Sequence, residues 1–195
     1  MRLRALGLPD AAATAGCRAI LDAVDTAQPV VLIALGSNIE PEENLPRAVE
    51  LLALDIEIVA ASAVYACPPI GAPGTPEFLN AVLSVRTRRG PRGLKFAILR
   101  AVESRLGRRR GSDRNAPRTI DLDLVLFGDR VEMASDLVLP DPALLTEAHV
   151  AVPAADVAGD VLHPEAHVTI SQIASGIESR LSARADVILV PSGHN

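Results

Sequence analysis

Val30-Val31-Leu32-Ile33-Ala34-Leu35 is an unbroken apolar run rich in β-branched residues, closed by the turn-forming triplet Gly36-Ser37-Asn38. Six residues are too few for a helix, and a run without polar alternation reads as a strand buried on both faces. Working outward from it, residues 42–54 place Leu45, Val49 and Leu52 at helical spacing, with Glu42 and Glu43 near the positive end of the helix dipole. Residues 56–65 alternate and read as one strand with room for a bulge. Residues 67–76 hold four prolines and two glycines and read as a stiff loop. Residues 78–87 read as another strand. A helix over 90–106 begins with Pro91 and aligns Leu94, Ala97, Ile98, Ala101 and Val102 on one face. A polar loop over 107–118, a strand over 120–127 and a turn at Gly128-Asp129 follow.

The order strand–helix–strand–strand–helix–strand is the split β-α-β pattern of an α+β, ferredoxin-like fold. It predicts an antiparallel sheet with helices packed on one face. Past Pro140 the pattern is less regular, with a helix expected over 171–181 and a short strand over 187–190. Residues 1–29 read as an N-terminal extension, in which Asp10 caps a helix over 11–27 carrying Ile20, Leu21 and Val24. The domain is expected over 30–181, with 182–195 as a C-terminal tail.

The chain has 195 residues, of which 49% are hydrophobic, enough for one domain with a substantial core. Aromatics are 2%, so that core must be aliphatic. The net charge of −5 argues against a general nucleic-acid binder. An RNA-binding sheet also wants exposed aromatics, and this chain offers only Tyr65, Phe78, Phe96 and Phe127. Cys17 and Cys67 form no metal-ligand spacing, which fits a reducing cytoplasm. No run long and apolar enough to span a membrane is present, and no signal peptide is expected. The expected assembly is a monomer or homodimer.

The chemistry concentrates in Arg118-Thr119-Ile120-Asp121-Leu122-Asp123-Leu124-Val125-Leu126-Phe127. On a strand, residues i and i+2 share a face, so Asp121 and Asp123 project together while Leu122 and Leu124 point away. Asp is depleted in strands and unpaired buried charge is costly. Two aspartates in so apolar a run therefore point to a compensating cation, and Mg²⁺ is commonly held by one or two carboxylates plus substrate phosphates. Upstream, Arg108, Arg109, Arg110, Arg114 and Arg118 put five guanidinium groups within eleven residues. Arginine forms forked bonds to phosphate oxygens, and phosphoryl transfer depends on positioning and charge neutralisation. A solvated basic loop and a strand end with two solvated acids are the blander readings of the same residues. Asn80 offers donors and acceptors to a heterocycle edge, and Phe78 a stacking face.

Taken in order, ALGSN (34–38), VYACPPIG (64–71), PEFLNAV (76–82), ESRLGRRR (103–110) and APRTIDLDLVLFGD (116–129) resemble the 6-hydroxymethyl-7,8-dihydropterin pyrophosphokinase family. The likeness runs from about residue 30 to 178, more loosely through LVLPDP (137–142) and the VLHPE region (161–165). It implies a ferredoxin-like fold and transfer of the β,γ-diphosphate of ATP to the pterin hydroxymethyl group, with AMP released. Asp121 and Asp123 would hold two magnesium ions, with Arg108 and Arg118 on the reacting phosphates. Cys67, Ile70, Phe78, Asn80 and His149 would form the pterin site. Glu103, Arg110, Leu124 and Val138 would serve ATP.

The chain departs from the family's usual pattern at Arg100, Asn115, Asp141, Glu147 and His149, where glutamine, tryptophan, histidine, arginine and phenylalanine are expected. These changes motivate an alternative: a catalytically impaired pterin- or nucleotide-binding paralogue with a regulatory or scaffold role.

Overall fold

A computed structural model describes residues 28–67, 76–109 and 116–189. The expected helix over 11–27 therefore lies outside the described residues. The apolar run became β1 (Val31–Ser37), flanked by β4 (Phe78–Arg86) and β5 (Asp121–Phe127), both antiparallel to it. Between β1 and β4 come helix α1 (Pro41–Ala53), β2 (Glu57–Ala61) and β3 (Val64–Cys67). Strands β2 and β3 both pair with β4, giving the spatial order β5–β1–β4 and then β2 and β3 along one flank. That is the strand order of a ferredoxin-like sheet.

The single strand expected over 56–65 is two. Ser62 interrupts it: its hydroxyl accepts from Val82 N and its own amide donates to Val82 O, both at 2.9 Å. The serine takes over the ladder for one step, so pairing with β4 resumes beyond it instead of ending.

Helix α2, over residues 91–105, is not uniform. Pro91–Gly93 opens it, Leu94–Leu99 is a π-helical turn, and Arg100–Arg105 completes it. Beyond β5 lie a hairpin of β6 (Glu132–Ala134) and β7 (Leu137–Leu139), then helices α3 (Ala143–Thr146), α4 (Ala148–Ala158) and α5 (Ile170–Gly176). Thr169 and Gln172 form a reciprocal capping box that fixes the start of α5. The helix stops at Gly176, short of the expected 181.

Helices cover both faces of the sheet, not one. On the first face, α1 and α2 pack Leu45, Leu52, Leu94 and Val102 against Ile33, Leu83 and Leu124. On the second, α3 to α5 pack Leu144, Val150, Ala154, Ala158 and Ile170 against Leu32, Val82 and Val125. The second layer escaped the helix–strand count because α4 is Ala-rich and contains Pro153, which blurs its period. The segment read as a tail contributes to the sheet: β8 (Ser182–Arg184) pairs with β3. Val187 and Leu189 are buried in the first core, although among the described residues no strand forms over 187–189.

Candidate active site

Antiparallel register sets the site. Tyr65 on β3, Asn80 on β4, Gly36 on β1 and Asp121 on β5 are successive cross-strand partners, forming one row across four strands. Val82, Ala34 and Asp123 form the next row. Because alternate residues share a face, Asp121 and Asp123 both project onto the second face, where α3 and α4 cover only part of the sheet. The remainder is a cavity of about 260 Å³ lined by Ala34, Gly36, Cys67, Phe78, Asn80, Arg118, Asp121, Asp123, Asp141 and His149 among others. Its floor is bare at Gly36, where an added Cβ would come within 3.1 Å of the Asn80 side-chain oxygen.

The charges are arranged around Asp121. Arg118 Nη1 donates to Asp121 Oδ2 at 2.5 Å, and Arg108 Nη1 donates to Asp121 Oδ1 and to Glu103 Oε1. Burial works against the Arg108 charge, but Asp121, Glu103 and Asp123 outweigh it and raise the guanidinium above its ordinary value. Glu103, 2% exposed, also accepts from Leu122 N at 3.0 Å, the amide between the two aspartates. Arg118 lies 5.7 Å from the centre of the Phe78 ring, within cation–π range.

The turn Gly36-Ser37-Asn38 fastens this loop. Ser37 donates to Thr119 O at 2.6 Å, and Asn38 Oδ1 accepts from Arg118 N at 2.8 Å.

Asp123 opens into the cavity, yet protein surrounds it closely enough that desolvation raises its carboxyl to about 6. Asp121 and then Asp141 push the same way, and Lys95 pulls against them. The carboxylates of Asp121, Asp123 and Asp141 all line this cavity. A cation is the group that would relieve the crowding of carboxylates, so the donor set fits Mg²⁺. Among the described residues no group of three or more His, Cys, Asp or Glu side chains is arranged to hold a metal. The chain therefore offers the two aspartates, and phosphate oxygens and water would complete the shell. Each oxygen of Asp121 accepts from one arginine, which leaves a second lone pair on each for a cation.

Opposite the sheet, α4 presents His149. Burial lowers its pKa below the ordinary value, and Glu147, whose carboxylate lies 3.8 Å from Nδ1, opposes that. Burial thus favours the neutral imidazole. Burial, followed by Glu147 and Glu77, raises the Cys67 thiol, which makes it a poor nucleophile.

Of the residues singled out by sequence, the cavity brings together Cys67, Phe78, Asn80, Arg118, Asp121, Asp123 and His149, with Arg108 bonded to Asp121 behind them. The side chains of three expected ATP contacts lie outside the cavity lining. Leu124, 1% exposed, points into the first-face core, away from the cavity. Glu103 is buried behind Arg108 and braces it. Val138 sits half-buried on β7, paired with Met133, outside the cavity lining. Ile70, Arg110 and Asn115 lie outside the described residues.

Gly36 carried a weak signal, as part of a turn that could line a site at the strand end. Lys95, on the π-helical turn, had none, because helical position alone does not show that its charge acts on Asp123.

This sheet order, with two carboxylates and two arginines at one end of β5, fits an enzyme of phosphoryl transfer between small molecules. Residues 32–159 match the family described as 7,8-dihydro-6-hydroxymethylpterin-pyrophosphokinase, and the chain belongs to that family. The chain is 34% identical over 150 residues to the 2-amino-4-hydroxy-6-hydroxymethyldihydropteridine pyrophosphokinase of Synechocystis, covering 75% of each protein. It is 36% identical over 138 residues to the protein of that name from Pseudomonas aeruginosa, covering 69% of this chain and 84% of that one. It is also 34% identical over 143 residues to the folic acid synthesis protein fol1 of Pneumocystis carinii, where the match spans 72% of this chain but 19% of the relative. Among solved structures, the wild-type Plasmodium falciparum HPPK-DHPS aligns with a TM-score of 0.60 at 11% identity. That alignment covers 76% of this chain and 44% of that one, and it shows a shared fold.

Proposed function

We propose that this chain transfers the β,γ-diphosphate of ATP to the hydroxymethyl group of 6-hydroxymethyl-7,8-dihydropterin. The observation that carries the reading is the projection of Asp121 and Asp123 into the same cavity as Phe78 and Asn80. The pterin ring would lie between Phe78 and His149, its polar edge on Asn80 and on backbone groups near Cys67. Arg118, at the junction of Phe78 and Asp121, and Arg108 behind it, would hold the phosphates. When bound to Asp121 and Asp123, a pair of magnesium ions would neutralise the phosphate charge that the arginines leave unmatched. The hydroxymethyl oxygen forms a bond to the β-phosphorus and gives up its proton to solvent, as the bond from that phosphorus to the bridging oxygen of AMP breaks. The bonding electrons and the negative charge leave with AMP. Residues of the chain supply position and charge, which is where catalysis of this class resides.

The reaction would run in the cytoplasm, in folate or related pterin cofactor synthesis. Among the described residues no helix is long and apolar enough to cross a membrane. The test is release of AMP that requires both Mg²⁺ and the hydroxymethyl-dihydropterin. Pterin binding without any AMP release would select the impaired-paralogue reading instead.

A further inference from the structure

Helix α4 meets the sheet through small side chains. Ala151, Pro153, Ala154 and Ala158 are its buried residues besides Val150. Such a surface is non-directional: it favours contact but holds a helix weakly against rotation about its own axis. Pro153 removes one backbone bond, that to the carbonyl of His149, while the helix runs unbroken through it and keeps its two halves in phase.

Directional side-chain bonds from the helix to the sheet, among the described residues, come from Asp156. Asp156 Oδ2 accepts from the Tyr65 hydroxyl at 3.0 Å and from the Ala63 amide at 3.2 Å, tying α4 to β3. Tyr65 is the register partner of Asn80, and two residues on, Cys67 is the partner of Phe78. Asp156 and His149 are seven residues apart, about two turns, so they share a helix face. A bond that fixes the azimuth of Asp156 fixes that of His149 as well. Tyr65 itself is not in the cavity lining.

We propose that the Tyr65–Asp156 clamp is a positioning device: by setting the rotation of α4 on β3, it sets where His149 stands opposite Phe78. This rests on the reading of that gap as the pterin site. The clamp acts on the pterin half of the reaction alone, because Arg108, Arg118 and the aspartates lie on strands and loops that α4 does not carry.

The experiment is a double-mutant cycle read by steady-state kinetics and by quenching of pterin fluorescence on binding. Asp156→Ala should raise the KM and Kd for the pterin on the order of 5-fold, the scale of one or two net hydrogen bonds, with the KM for Mg-ATP unchanged. Tyr65→Phe, which keeps the Ala63 bond, should give a smaller rise of about 2-fold. Asp156→Asn keeps an acceptor oxygen and should restore most of the affinity. In a His149→Ala background, Asp156→Ala should cost almost nothing more, since its effect passes through the imidazole.

Equal losses in both backgrounds, or a parallel rise in the KM for Mg-ATP, would overturn the proposal and leave a merely structural bond. Failure of the wild-type protein to quench pterin fluorescence at all would overturn it too, and would fault the pterin site itself instead of the clamp.

Discussion

The two faces of one sheet have been put to opposite uses. On the first, Ile33, Leu83 and Leu124 meet α1 and α2 in a continuous aliphatic layer. On the second, the same strands place Ala34, Gly36, Asn80, Asp121 and Asp123 beneath a partial cover of small residues, leaving a cavity. Because side chains alternate along each strand, the two surfaces are interleaved in sequence one residue at a time. Leu122 and Asp123 are neighbours in the chain and belong to different worlds. The first face supplies stability. The second gives up packing and accepts crowded charge, a compromise expected where a ligand must bind.

The largest break in this contrast should come from the carboxylates. Asp121→Ala and Asp123→Ala should each lower AMP release by about a thousandfold, as removal of one preorganised electrostatic group does elsewhere. Their effects on stability should differ. Asp121→Ala removes a carboxylate acceptor from both Arg108 and Arg118 and should destabilise the fold. Asp123→Asn should raise the melting temperature of the ligand-free protein at pH 7. The carboxyl of Asp123 is pushed up to about 6 from an ordinary 3.8, so folding favours its protonated form. Its ionisation therefore costs stability progressively as pH rises from about 4 to about 6, and the amide avoids that cost. Thermal scans of both proteins across that range should show a gap that opens with rising pH.

Next in size is the packed face. Leu83→Ala, at a fully buried site, should cost about 2–5 kcal/mol by chemical denaturation while leaving the KM of the protein that remains folded unchanged. Gly36→Ala should do the reverse. Its new methyl meets the Asn80 side-chain oxygen at 3.1 Å, so stability should change little while pterin affinity falls about 10-fold, a displaced-hydrogen-bond effect. The smallest effect is in pH. Mg-ATP affinity should be level above about pH 7 and fall below about 6 as Asp123 takes up a proton. Calorimetric titration at three pH values checks this, and Asp123→Asn should remove the slope.

Much of this was legible before the structure. The apolar run at 30–35 and the Asp121/Asp123 pair announced themselves because strand periodicity is local: a two-residue repeat assigns both face and neighbour. The interruption at Ser62 was not legible, since it depends on a hydroxyl meeting Val82 across the sheet. The second helical layer was obscured by alanines that pack well without advertising a period. Leu124 shows what alternation decides. Its assignment to ATP came by likeness, and the alternation that paired the aspartates turns its side chain to the other face, leaving its backbone as the part that could meet a ligand. Glu103, in contrast, lies so deep that its role as brace for Arg108 and for Leu122 N appears only in three dimensions.

The π-helical turn at Leu94–Leu99 has a consequence for how this enzyme can change. Such a turn holds one more residue than an α-helical turn, and each α-helical residue advances the direction of a side chain by about 100°. The extra residue is absorbed within that one winding, so Leu94 and Glu103 keep nearly the phase of a regular helix. Deleting a single residue there would restore an ordinary helical turn and leave Glu103 close to its place, still bracing Arg108 and the Leu122 amide. The irregular turn is thus a place where the helix can lose a residue without rotating its scaffold half against its working half.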